Sequence, residues 1–452
     1  MILIFLLALA NGYKPFFNDG KISFQRTGMI IANSKPQGAD VYINGKYTGS
    51  KTSYPFLSVR ITSLKPGDHQ IQIKKTGYKT WEKLVEVRAN FVTWANYVLL
   101  FPEKLDPHPI ADIKSMSVQD NSKNNRYYVM SSTNTKGQTE LYFYDVSANT
   151  KKLVWPISKT PIEPWLVNPQ VTKAEISPDN NKLLVWVKKD NSTAVAILDL
   201  SNQDNGFIYQ IDQSKNIYQK ILWNPKNSSE LIALSGKNLS KISLGQNQQT
   251  TSQILDSGII DYSIESDNNI YYIKESPISY SLMKMSTDGS DKNIISDAVE
   301  KSAAYKFSYS KQKDVVALLP VDTRNLTAYY HLGGQPNSLK LDQDIKDMSW
   351  SKDGLRILYV SDKDAKFFDW EKTEEKPINV GVHIKNISWY FDKYHVIFQA
   401  NNGDVIVSDY DGSNQVKLAD KATLFYVYNQ SSIFYNQLTD GQSNYSTLGF
   451  SF

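Results

Sequence analysis

The side chains that most often carry chemistry are sparse and widely separated in this sequence. Its five histidines are His69, His108, His331, His383 and His395. None has another histidine two to five residues away, so the spacing that lets imidazoles share a metal ion is absent. Cysteine is missing altogether, which removes disulfides, thiolate zinc sites, iron–sulfur clusters and thiol nucleophiles together. No G-x-S-x-G elbow, Walker loop or G-x-G-x-x-G turn occurs. Asp288-Gly289 and Asp411-Gly412 lack the alternating acidic ligands and distal Glu of a calcium loop, and they read as type I′ hairpin turns. His395 alternates with Val396 and Phe398 and reads as a strand residue. The motifs therefore name no catalytic, metal-binding or cofactor-binding residue. Carboxylates leave one route open: 46 acidic residues are available, and a glycosidase pair assembled in space leaves no local trace.

The elements that would position any such groups are β-strands. The 452 residues include 28 Tyr, 18 Phe and 9 Trp, and such rings pack well on a half-buried pleated surface. The 50 basic side chains nearly balance the acidic ones, for a net charge of +4. Lys74-Lys75 and Lys188-Lys189 are short pairs without a basic stripe, which argues against nucleic-acid binding. Met1 to Ala10 is an unbroken apolar run, too short to span a bilayer by itself. It reads as the surviving end of a membrane anchor. A cleaved signal without its basic region and a buried first strand are the competing readings. Residues 1–27 are accordingly assigned to this segment and a connector.

From Gly28 onward short alternating strands are separated by turn residues. Asp40-Val41-Tyr42-Ile43 ends on Asn44-Gly45, a strong hairpin signal because both residues tolerate positive φ. Gln70-Ile71-Gln72-Ile73-Lys74 alternates at period two, with one face buried and one wet. Three stretches in this order resemble the PEGA domain: Pro36-Gln37-Gly38-Ala39-Asp40-Val41-Tyr42-Ile43-Asn44-Gly45-Lys46, Leu64-Lys65-Pro66-Gly67, and Lys75-Thr76-Gly77-Tyr78-Lys79-Thr80-Trp81. Gln37 stands in place of the name-giving Glu, and Thr52-Ser53 in place of the usual Thr-Pro. The resemblance implies a small β-sandwich of envelope and surface proteins over 28–102, without a reaction. Tyr78 and Trp81 read as core residues rather than a ligand platform. Pro102, Pro107 and Pro109 mark a linker over 103–110.

Residues 111–452 repeat one pattern, in which a strand ends on an aromatic or branched residue, turns, and returns as a second strand. The anchors Ile176, Trp223, Ile264, Tyr309, Trp350 and Trp389 fall roughly 39–47 residues apart, the period of β-propeller blades. Alternating Val, Ile, Tyr and Trp without a 3.6-residue rhythm excludes helical repeats. Dividing the segment by this period predicts about eight blades, with seven as the alternative. Pro156–Gln170 reads as an excursion between blades. Ser177-Pro178-Asp179, Ser351-Lys352-Asp353-Gly354 and Asp411-Gly412-Ser413-Asn414 resemble the WD40-like repeats of TolB-type propellers.

The expected fold class is all-β, a small PEGA-like sandwich followed by a β-propeller. The expected function is non-catalytic binding or scaffolding at the cell envelope or surface. The chain would be membrane-anchored through its N-terminal segment and face outside the cytoplasm. The propeller would engage a protein, peptide or cell-wall glycan, with exposed Tyr and Trp as anchors. No cofactor and no nucleic acid are expected. The alternative is a glycan-active hydrolase or lyase with carboxylates gathered at the channel mouth.

Overall fold

The computed structural model describes residues 13–18, 21–53, 58–156, 170–189, 192–201, 208–211, 217–245, 249–265 and 267–450. The apolar run Met1–Ala10 and nearly all of the excursion read over Pro156–Gln170 lie outside the described residues. Among those described, no helix is long and apolar enough to cross a membrane. The chain divides into two compact units. One comprises Met1–His108 with Ile406–Leu418 and Leu448–Phe452, the other Pro109–Val405 with Ala419–Thr447.

The first unit opens with a hairpin of β1 (Tyr13–Asn18) and β2 (Lys21–Arg26). Seven strands follow: β3 (Gly28–Lys35), β4 (Asp40–Ile43), β5 (Lys46–Lys51), β6 (Val59–Leu64), β7 (Gly67–Lys74), β8 (Trp81–Val87) and β9 (Val92–Leu99). They form two sheets, β6-β3-β9 and β5-β4-β7-β8. Both sheets contribute to one core that includes Ile30, Ala32, Val41, Ile71, Ile73, Trp81, Ala95 and Val98. This is the sandwich expected from the alternating pattern, with Ile71 and Ile73 fully buried as their period-two spacing requires. The β4–β5 hairpin turns on Asn44 and Gly45 at φ 49° and 77°, the pair of left-handed residues that a type I′ turn needs.

The remaining strands form eight four-stranded antiparallel sheets among the described residues. Seven are continuous in sequence: blades 1 to 7 span 117–155, 170–211, 218–257, 259–299, 305–342, 347–377 and 384–419. Blade 8 combines three strands within 422–449 with an outer strand from the other end, β10 (Pro107–Ile110). That finding corrects the linker assignment. Pro107 and Pro109 punctuate an edge strand, where a missing N–H leaves no ladder bond unmade, and the connector ends before Pro107.

Apolar clusters join blade 1 to 2, 2 to 3, 3 to 4, 4 to 5 and 5 to 6. Trp389 of blade 7 packs against Phe367 of blade 6, ring centroids 6.2 Å apart. Tyr390 Oη of blade 7 donates to Gln430 O of blade 8 over 2.9 Å. Tyr128 and Tyr144 of blade 1 meet Phe434 and Tyr445 of blade 8, so the ring closes. Each blade is covered on both faces, which explains why second strands such as Val315–Pro320 and His395–Ala400 are buried at every position.

Candidate binding face of the propeller

In a four-stranded blade, the first strand runs along the channel and the other three follow outward. We number inner-strand positions from the anchors Ile176, Trp223, Ile264, Tyr309, Trp350 and Trp389. Three residues before them stand Lys173, Lys220, Asp261, Lys306, Asp347 and Asn386. Several of these reach the next blade. Lys220 Nζ donates to Asp261 Oδ1 at 2.9 Å and to Tyr262 O at 2.6 Å. Asp261 Oδ2 in turn accepts the Tyr305 N–H at 2.8 Å, and Lys306 Nζ bonds Asp347 at 3.1 Å. Carboxylates at neighbouring positions do the same, for Asp120 accepts the Ile176 N–H at 2.7 Å and Glu265 accepts that of Tyr309. The anchor indoles reach backward: Trp350 Nε1 donates to Ser308 O at 3.1 Å and Trp389 Nε1 to Ser349 O at 3.2 Å.

These inner-strand groups therefore join blades. Burial pushes the carboxyls of Asp120, Glu175 and Glu265 above the usual carboxylate range. Glu175 is also ion-paired with Lys173 on its own strand. Of the anchor tryptophans Trp223 is buried and Trp350 and Trp389 are half-buried, and the latter two give their N–H to the fold.

A different surface is open. Because strands alternate in direction, the connections entering each inner strand and those joining second to third strands lie at the same end of the ring. At this end a cleft of about 570 Å³ is lined by residues of blades 3 to 5, among them Lys237, Ile260, Tyr280, Lys301, Ser302 and Asp322. Lys301 Nζ lies over the Tyr280 ring, 5.4 Å from its centroid. Asp322 is held by the Ser302 hydroxyl at 2.8 Å and the Ala303 N–H at 2.9 Å, and Lys237 is paired with Glu275. Ile278 and Val321, in connections bordering Tyr280 and Asp322, are 89% and 50% exposed. Ile217, Val382 and Leu438 are exposed at this same end.

The residues singled out from sequence are placed as follows. Trp81 is buried in the sandwich core, its indole N–H directed at both Asp409 oxygens at 3.2 and 3.1 Å. Tyr78 packs against that core. His395 is buried, with Nδ1 facing the Asp392 carboxylate at 2.9 Å. The Asp-Gly turns are not type I′, because only the glycines, Gly289 at φ 89° and Gly412 at φ 85°, are left-handed. Gly412 N–H bonds Asp409 O, and Asp409 N–H bonds Ser413 O. That is a type I turn closed by a glycine bulge, which fits a three-residue loop. No group of three or more His, Cys, Asp or Glu suited to a metal ion occurs among the described residues.

Sequence reasoning missed Lys83. In the first unit its ammonium bridges Asp409 at 2.9 Å and Asp411 at 2.8 Å, with only 13% of the Lys83 side chain and 2% of that of Asp409 exposed. The rings of Tyr97 and Tyr410 lie 5.7 and 5.2 Å from the ammonium. Burial alone would lower the Lys83 pKa, but the carboxylates overcome it and hold the lysine above its ordinary value. Nothing in Trp81-Glu82-Lys83-Leu84 signals this, because the partners stand more than 300 residues away in sequence.

Residues 27–100 match the family model of the PEGA domain. Among solved structures, one described as that of the eukaryotic initiation factor is 13% identical at a TM-score of 0.50, covering 72% of this chain and 83% of that one. The Dos1 propeller is 14% identical over 75% of this chain and 93% of its own, at a TM-score of 0.49. The C-terminal WD40 domain of Sif2 is 12% identical over 76% and 98%, at 0.46. Comparison with curated proteins gave no match. Likeness at such identities speaks of fold alone. Residues 27–100 carry a PEGA domain, and the rest of the chain has the fold of a β-propeller.

Proposed function

We propose that this chain is a non-catalytic, membrane-anchored scaffold facing outside the cytoplasm, whose propeller captures a protein partner on the end that carries the cleft. The observation carrying this reading is the concentration of exposed aliphatics there. Ile217, Ile278, Val321, Val382 and Leu438 come from five different blades yet emerge at one end. Exposed apolar groups at the end of the ring that carries a polar cleft suit a protein interface, in which buried apolar contacts supply energy and polar groups fix register. The Ser-Pro-Asp and Ser-Lys-Asp-Gly turns support kinship with TolB-type blades. In both, the first Ser bonds the Asp two residues on, at 2.6 and 2.7 Å.

The glycan-active alternative draws on Asp120 and Glu175, which lie on neighbouring inner strands with raised pKa values. Asp120 is bonded to the Ile176 N–H and Glu175 to Lys173, so both are already engaged by the fold. A photo-crosslinking residue at Ile278 should trap a protein in cells of the source organism, and one at Leu332, exposed at the opposite end, should not. Crosslinking at Leu332 alone, or release of reducing ends from a polysaccharide by the purified chain, would overturn the proposal.

A further inference from the structure

The outer face of the three-stranded sheet in the first unit is apolar and open. Cross-strand register places Met29 beside Val92 and Ile31 beside Trp94, with Arg60 opposite Ile31 on the other flank. Partners in register point to the same side of a sheet, so these residues share one face. The opposite face of β3 and β9, carrying Ile30, Ala32 and Ala95, is the sandwich core. Trp94 is 56% exposed and Phe91, just before β9, 66%. On this face Val92 and the large Trp94 ring are left largely in water beside Met29 and Ile31, which is unusual for a surface without an occupant.

We propose that this face lies on an anionic lipid bilayer. Three observations favour a bilayer over a protein partner. Trp and Phe are side chains that settle at the boundary between headgroups and acyl chains. Arg60 is exposed at the edge of the patch, where a guanidinium can meet lipid phosphate. The chain also enters this unit beside that edge: Lys14 of β1 donates to Ser63 of β6 at 2.7 Å, and the sequence before β1 holds the apolar run Met1–Ala10. A single short apolar run gives weak, reversible membrane binding, and a second contact makes it stable. The aromatic face supplies that contact independently of what the propeller binds.

The test is flotation of the purified full chain with vesicles of phosphatidylcholine alone or mixed with phosphatidylglycerol. Wild type, Phe91→Ser/Trp94→Ser and Arg60→Glu are compared, each also in a background where Leu6→Ser and Leu7→Ser weaken the apolar run. In that background the chain should still float with anionic vesicles. Phe91→Ser/Trp94→Ser should lower its partitioning at least about tenfold, and Arg60→Glu should remove the preference for phosphatidylglycerol. Near-ultraviolet circular dichroism verifies that each variant is folded. The proposal is overturned if the Leu6→Ser/Leu7→Ser background does not float at all, or if the aromatic substitutions leave flotation unchanged. It is also overturned if those substitutions abolish a dimer in sedimentation, which would make the occupant a second copy of the chain.

Discussion

Replacing Lys83 by methionine keeps the side chain up to its fourth heavy atom and removes the ammonium and its charge. At an effective dielectric of about 20, an ion pair at 2.9 Å has a gross attraction of about 6 kcal/mol. Lys83 makes two such contacts, with Asp409 and Asp411. Desolvation of the three groups offsets most of this, so the intact cluster contributes little net stability. The single substitution is different, because it leaves Asp409 buried and Asp411 half-exposed with no cation between them. Breaking a buried pair in this way costs about 3–5 kcal/mol. Other donors to Asp409, among them the Trp81 indole and the Asn414 amide at 3.1 Å and the Ser413 hydroxyl at 3.4 Å, place Lys83→Met at the lower end of that range.

The two-unit chain is unsuited to a single unfolding free energy. Native-state hydrogen exchange, read separately over 405–418 and over β8, is the appropriate assay. Lys83→Met should raise exchange in both segments together while leaving blades 2 to 4 as protected as before. Lys83→Met/Asp409→Asn should recover part of the protection, because it removes the stranded charge, and the double-mutant cycle should return a coupling above about 1 kcal/mol. If Lys83→Met changed protection by less than about 1 kcal/mol, or if the second substitution only added to the damage, the cluster would be a loose surface pairing and the reasoning would fail.

Two further outcomes follow from close approach and from buried acids. Gly403 sits at φ 89°, and a Cβ there would lie 2.9 Å from Lys421 Cα and 3.1 Å from Ala422 O. Gly403→Ala should therefore cost about 2 kcal/mol or more at the blade 7–8 junction, seen as faster exchange of the Ala422 amide, which is bonded to Gly403 O; unchanged exchange would contradict the contact. Glu265 has its carboxyl pKa raised in the fold, chiefly by burial, while the unfolded chain keeps the ordinary value. Between those values the folded state binds the extra proton, so this group favours folding at the acid side of the window and loses that contribution as pH rises through it. Glu265→Gln keeps an acceptor for the Tyr309 N–H and should flatten the decline in amide protection of blades 4 and 5 as pH rises above the ordinary carboxylate range. An identical pH profile in wild type and variant would refute the assignment.

What the sequence revealed and what it concealed divide along the range of the interactions. Asn44-Gly45, Ile71 and Ile73 were legible because turn and strand preferences act over a few residues, and the spacing of Trp350 and Trp389 was legible because each blade repeats one local pattern. The role of those tryptophans was not, since an indole is equally suited to a ligand and to a carbonyl of the preceding blade, and only the neighbour's position decides. The same holds for Lys220 and Lys306, which look like solvated strand charges until the next inner strand brings Asp261 and Asp347 beside them. Pro107–Ile110 read as a linker because its partner, Gln442–Gly449, lies at the far end of the chain. In a closed ring the first and last strands must meet, so the residues before a propeller are the place to seek its missing strand. That topological demand outweighed Pro107 and Pro109, since an edge strand tolerates what a central one cannot.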